Sequence, residues 1–93
     1  DLERVGGVSE WLKVAHMAAA QDIPVSPHIF TEHSLQLCAA VSNVNYAEHM
    51  PWFTGLFKEK MELVDGDIII PNRPGMSFSF DPDAVERFTI PLP

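Results

Sequence analysis

Material for a sheet is scarce in this chain and cut into pieces. Val25-Ser26 is hemmed in by Pro24 and Pro27, and the stretch Asn43–Glu48 is stopped by Met50-Pro51-Trp52, so each can supply one short strand and little more. Both lie among helical patterns. Two such strands alone leave open sheet edges and half-covered helix faces, so 93 residues of this kind are expected to be a portion of a larger α/β structure and not a self-sufficient domain.

The remaining elements follow from spacing. Gly6-Gly7-Val8-Ser9 reads as a turn followed by a helix-starting serine, and Trp11, Val14, Ala15, Ala18 and Ala19 recur at helical intervals, which predicts a helix from about Ser9 to Gln21. Leu35, Cys38 and Ala39 make a second i, i+3, i+4 face and predict a helix from about Glu32 to Val41, with Thr31 as its cap. Met61–Val64 and Asp67–Ile70 flank the favoured turn dipeptide Asp65-Gly66 and predict a β-hairpin. Ser77–Phe80 alternates as an extended segment, and Asp81-Pro82 supplies a cap and a first-turn proline for a short helix from Asp83 to Phe88. The expected division is 1–60 for the βα units and 61–93 for a hairpin and tail. The chain opens mid-pattern at Asp1, and an upstream portion is expected.

Composition narrows the partners. Thirteen acidic against six basic residues give a net charge of -7, which repels phosphate backbones and anionic membrane surfaces, so neither nucleic acid nor a membrane is expected. No apolar stretch approaches the roughly 20 residues of a membrane span. The one cysteine, Cys38, lies in an apolar run and reads as a small buried hydrophobe; with no disulfide to form, a reducing cytoplasm is expected.

Asp1, His28 and Glu48 carry the candidate chemistry. In a barrel of alternating strands and helices, each unit takes about 20 to 40 residues and functional groups stand at strand C-termini around one mouth. These three residues, 27 and 20 apart, obey that interval. Adjacent strands lie about 4.8 Å apart, which brings Asp1 within reach of His28. A carboxylate beside an imidazole holds one tautomer and stabilises the cation formed when the ring takes a proton. A second carboxyl, kept protonated in an enclosed site, donates to a substrate oxygen whose charge grows, and Glu48 is the candidate for that role. His49 and Trp52, just beyond Glu48, are candidates for binding substrate, with Phe53 beside them. Taken singly, a histidine after a strand is more often structural, and an acidic residue is usually solvated. His16 and His33 read as solvated or packing residues, and His28 and His33 share no helical face, so no zinc site is expected. Lys58-Glu59-Lys60 reads as an exposed charged face.

The ordered set Asp1-Leu2-Glu3-Arg4-Val5-Gly6-Gly7-Val8-Ser9-Glu10-Trp11, Pro24-Val25-Ser26-Pro27-His28, Tyr46-Ala47-Glu48, Asp65-Gly66, Ile70-Pro71 and Pro74-Gly75 resembles the C-terminal part of the enolase superfamily, in its mandelate racemase group. The resemblance covers nearly the whole chain. It implies the C-terminal portion of a (β/α)7β TIM-like barrel, with the ends of strands six, seven and eight in 1–60 and with 61–93 packing on an N-terminal α+β capping domain. It also implies that Asp1 and His28 form a base dyad, that Glu48 contacts a substrate carboxylate, and that Mg2+ is the cofactor, with its acidic ligands and a lysine base upstream; Lys13, Lys58 and Lys60 do not match that lysine. Where relatives often carry Pro-Gly-Leu-Gly, this chain has Pro74-Gly75-Met76-Ser77.

The implied activity is abstraction of the α proton of a small carboxylate through an enolate, with dehydration of a sugar acid the leading expectation and racemisation or epimerisation of a 2-hydroxy acid the alternative. The expected partners are the small carboxylate, the remainder of the same enzyme and further copies in a homo-oligomer. A reading of another class is a non-catalytic binding or assembly protein that keeps barrel-like sequence; three acidic strand-end residues upstream would separate the two.

Overall fold

The computed structural model describes all of residues 1–93. Helix α1 (Leu2–Val5) and helix α2 (Val8–Ala19) are followed by α3 (Thr31–Ala40), a 3-10 turn (Thr54–Leu56), strands β1 (Glu62–Val64) and β2 (Asp67–Ile69), and helix α4 (Pro82–Phe88). Helix α1 was not anticipated. It is a single turn, too short to show periodicity, and is made by Asp1 capping its start and Gly6 ending it at φ 104°. Helix α2 then begins one residue before the predicted serine, from Gly7 at φ 103°, with no side-chain cap. None of its helices is long and apolar enough to cross a membrane.

The two expected strands meet in one parallel bridge, Val25 to Val44, held by the Val25 N–H donating to the Asn43 carbonyl at 2.9 Å. Asn43 reinforces the junction, its amide donating to the carbonyls of Ala15 and Ile23 and so tying the end of α2 to both stretches. Around this bridge sits the core of Leu2, Trp11 and Ala15, with Val5, Leu12, Val25, Leu37, Val41 and Val44 packed against it. Val14, expected on the inner face of α2, lies half exposed, as does Val8, and Met17 is largely exposed. Nothing in this chain covers that side of the helix.

Helix α3 departs further from its pattern. Leu35 is buried as expected, but Ala39 is exposed, and the other buried positions are Thr31, Glu32 and Ser34, all polar. The helix is rotated so that its first turn faces the loop after the Val44 bridge. Thr31 is its first residue and not its cap, which is Phe30 at φ 47° and ψ 48° with no side-chain bond.

The hairpin forms as read, with Glu62 opposite Ile69 and Val64 opposite Asp67. Asp65 at φ 50° and Gly66 at φ 91° give the two-residue turn its required left-handed geometry. Asp81 caps α4 by accepting from the Asp83 N–H, with Pro82 in the first turn. The tail folds back: Phe80 bridges Phe57 in antiparallel sense, and Phe57 is buried against Phe78, Phe80 and the His33 ring. Lys58 and Lys60 are exposed, as expected of this run, which also carries tertiary contacts. Glu59 accepts from both the N–H and the hydroxyl of Ser79 at 2.6 Å, and Lys60 donates to the carbonyls of Thr54 and Phe57.

Candidate active site

Asp1 stands at the start of α1 with its two carboxylate oxygens divided between two tasks. Oδ1 accepts from the Arg4 N–H at 3.1 Å and caps the helix; Oδ2 lies 3.0 Å from His28 Nδ1. A carboxylate oxygen only accepts, so Nδ1 carries the ring proton and Nε2 of the neutral ring keeps its lone pair. The helix cap fixes the carboxylate, and the carboxylate fixes the tautomer.

Glu48 completes the row on the far side of the ring. Its Oε2 is 4.0 Å from His28 Nε2, which is too long for a direct hydrogen bond. That oxygen is instead occupied by the N–H of Ile29, at 2.6 Å. Because Oε2 is an acceptor there, a proton on a neutral Glu48 carboxyl belongs on Oε1, the oxygen left free for a ligand. The His28 side chain is about half exposed, at 52%, whereas Asp1 beneath it is only 15% exposed. The imidazole is thus reachable from outside while its partner is shielded.

The loop that carries His28 is strained. Ile29 and Phe30 both take left-handed backbone angles, φ 46° and 47°. A β-branched side chain rarely tolerates that region, and each such residue costs about 1–3 kcal/mol. Three contacts hold the loop: Ile29 N–H to the Glu48 carboxylate, the Ser34 hydroxyl to the Phe30 carbonyl, and the Phe30 ring stacked on Phe53 at 4.5 Å. The Thr31 hydroxyl also donates to the main-chain carbonyl of Glu48. Sequence reasoning spent Thr31 on a cap and missed this link, since no local signal pairs it with a residue 17 positions on.

The structure thus brings Asp1, His28 and Glu48 together, with His49 and Trp52 on the exposed stretch just beyond Glu48. Trp52 is 70% exposed, and His49 is exposed without a side-chain hydrogen bond, while Phe53 is the aromatic that turns inward. Lys13 pairs with Glu10 at 2.7 Å and Lys60 with carbonyls, so neither serves the site. A cavity of about 220 Å³ reaches Asp1 and Ser26 but is walled mainly by Val5, Trp11, Val14 and Val25. It includes neither His28 nor Glu48 and is packing space between the first helices and the Val25 bridge. No group of three or more His, Cys, Asp or Glu side chains converges to hold a metal, so the residues present do not form a seat for Mg2+.

A carboxylate bonded to an imidazole, with a second carboxylate 4.0 Å beyond the ring, is an arrangement able to take up and pass on a proton. The match to known proteins agrees with that chemistry. Residues 1–84 fit the model of the family described as Enolase C-terminal domain-like, and the chain belongs to that family, within the enolase superfamily. It is 38% identical over 84 residues to L-talarate/galactarate dehydratase of Salmonella typhimurium, covering 90% of this chain and 21% of that protein. It is 37% identical over 99 residues to D-xylonate dehydratase of Haloferax volcanii, covering 97% of this chain and 24% of that protein. Among solved structures, L-talarate dehydratase from Polaromonas sp. JS666 complexed with Mg and L-glucarate superposes with a TM-score of 0.86 at 32% identity, over 92% of this chain and 24% of that one. The chain therefore spans between a fifth and a quarter of the length of these relatives.

Proposed function

We propose that this chain forms the last βα units of a (β/α)7β barrel, with 1–60 bearing the ends of strands six to eight and 61–93 packing on a capping domain, and that the whole protein dehydrates a sugar acid. The observation that carries the reading is the Asp1–His28 contact at 3.0 Å with Nε2 left free. The names of the relatives, both of them acid-sugar dehydratases, support dehydration over racemisation.

In this reading His28 Nε2 takes the proton α to the substrate carboxylate, and the electron pair of the C–H bond moves into an enolate. Asp1 stabilises the imidazolium that results. The enolate then expels the β-hydroxyl, and the protonated Nε2 returns its proton to that oxygen, so that water leaves. Glu48, through the carboxyl oxygen that Ile29 does not hold, donates to a substrate carboxylate oxygen as charge builds on it. His49 and Trp52, on the exposed loop that follows, face the polyol end. Mg2+, named in the solved relative, supplies Lewis-acid neutralisation of the second negative charge and would be held by residues outside 1–93.

The test uses the full-length polypeptide, with Mg2+, against a panel of acid sugars in deuterium oxide. The wild type is expected to exchange the α proton and to release a 2-keto-3-deoxy product from at least one acid. His28→Asn is expected to lose exchange by about 100-fold or more, the range assigned to a positioned general base. Exchange at the wild-type rate in His28→Asn overturns the assignment.

A further inference from the structure

Glu48 is gripped at both its main chain and its side chain by the residues that immediately follow His28. The Ile29 N–H donates to the carboxylate Oε2 at 2.6 Å, and the Thr31 hydroxyl donates to the Glu48 main-chain carbonyl. Thr31 is 1% exposed and the bond is part-buried, so it is not an incidental surface contact. The N-cap of α3 is Phe30, which has no side-chain acceptor, so the hydroxyl of Thr31, the first helical residue, is not used as a cap. The hydroxyl is committed to Glu48 instead.

The two bonds have different reach. The carboxylate bond depends on the Glu48 rotamer, whereas the carbonyl bond depends only on the backbone and so fixes where the Glu48 Cα stands relative to the His28 loop. Between them lie Ile29 and Phe30, the two left-handed residues, whose backbone favours relaxation to another conformation. Relaxation there would turn His28, one residue upstream, away from Glu48. The Phe30 stack on Phe53 and the Ser34 bond to the Phe30 carbonyl hold Phe30 itself, but only the two Glu48 bonds join the loop to the second carboxylate.

We infer that Thr31 is a positioning residue: its buried hydroxyl, acting through the Glu48 carbonyl together with the Ile29 N–H, sets the separation of the His28 ring from the Glu48 carboxylate. The effect on turnover rests on the proposed acid-sugar chemistry; the effect on the loop does not.

Thr31→Val removes the hydroxyl at nearly constant volume, Thr31→Ala is a second hydroxyl-free variant should valine prevent folding, and Thr31→Ser keeps the hydroxyl. All are made in the full-length polypeptide. Two readouts are taken: hydrogen exchange of the Ile29 amide, and the split between kcat and KM. In the hydroxyl-free variants the Ile29 amide is expected to exchange about tenfold faster, the response to losing one net hydrogen bond. Turnover is expected to fall by about 10- to 100-fold with KM within about threefold, the pattern of a reacting group displaced by a fraction of an ångström up to about 1 Å. Thr31→Ser is expected to stay near wild type in both. Unchanged Ile29 protection in the hydroxyl-free variants, or a Thr31→Ser variant as impaired as Thr31→Val, overturns the inference. Loss of Ile29 protection in a protein whose wild type attacks no acid sugar upholds the clasp and sinks the dehydratase reading alone.

Discussion

Replacing Asp1 by asparagine separates two jobs that one side chain performs. As the cap of α1, Asp1 uses Oδ1 to accept from the Arg4 N–H at 3.1 Å, and asparagine is as good a cap as aspartate. With its amide oxygen kept on Arg4, asparagine must turn its NH2 toward His28 Nδ1. An amide nitrogen only donates, so Nδ1 has to accept, and the ring proton moves to Nε2. The base then has its lone pair on the wrong nitrogen. The stabilising negative charge next to the imidazolium disappears with the same substitution.

The size of the effect follows from those two losses. A wrong tautomer enforced by an aspartate-to-asparagine exchange costs about 10³- to 10⁴-fold in turnover in a comparable carboxylate–imidazole pair, or about 4 to 5.5 kcal/mol at 1.36 kcal/mol per decade. Stability should hardly move. The only other interaction lost is the ion pair with the exposed Arg4 guanidinium at 3.4 Å, and such surface pairs are worth about 0–1 kcal/mol. The assay is α-proton exchange in deuterium oxide alongside a thermal melt of the full-length protein. Asp1→Asn is expected to melt within about 3 °C of wild type while exchanging at least a thousandfold more slowly. A variant that keeps more than a tenth of the exchange rate, or whose deficit tracks a large fall in melting temperature, refutes the tautomer argument.

Two further predictions concern groups outside the site. The Glu59 carboxyl is held down to about 2 by hydrogen bonds from the hydroxyl and then the N–H of Ser79, against an ordinary value of 4.5. A depressed carboxyl contributes its stability above the ordinary value and loses it as pH falls toward the folded one; wild type should therefore weaken between pH 4.5 and about 2, and Glu59→Gln should flatten that limb of a stability-against-pH curve, whereas parallel curves would show that the contact has no effect. Burial pushes the Cys38 thiol above its ordinary range, so it should alkylate with iodoacetamide at pH 8 at least tenfold more slowly than a free thiol; labelling at the free-thiol rate would show that α3 does not pack as described.

What was legible in the sequence was what neighbouring residues decide among themselves. Asp65-Gly66 and Asp81-Pro82 impose their geometry within two residues, and the hairpin and α4 formed where they pointed. The strands were legible as strands but not in extent: a single Val25–Val44 bridge forms, with Pro24 and Pro27, which have no N–H to donate, on either side of Val25-Ser26. The rotation of α3 was not legible, since burial of Thr31 in place of Ala39 goes with an acceptor 17 residues away. The contact of Glu59 with Ser79 was not legible either, its partner being 20 residues away.

The strained residues show where local preference and the tertiary structure disagree. Isoleucine and phenylalanine have no intrinsic reason to be left-handed, and a sequence consistent at every level would place glycine or asparagine there. Glycine at 29 would supply the φ at no steric cost, yet it would also let the loop relax away as easily as it enters. With Ile29 the loop leans on Glu48 accepting its N–H and on Thr31 holding Glu48, so the conformation of the His28 loop is tied to the position of the second carboxylate. In the proposed reaction the proton acceptor and the proton donor are thereby set by a common device, and the strain at Ile29 and Phe30 is what that coupling holds in place.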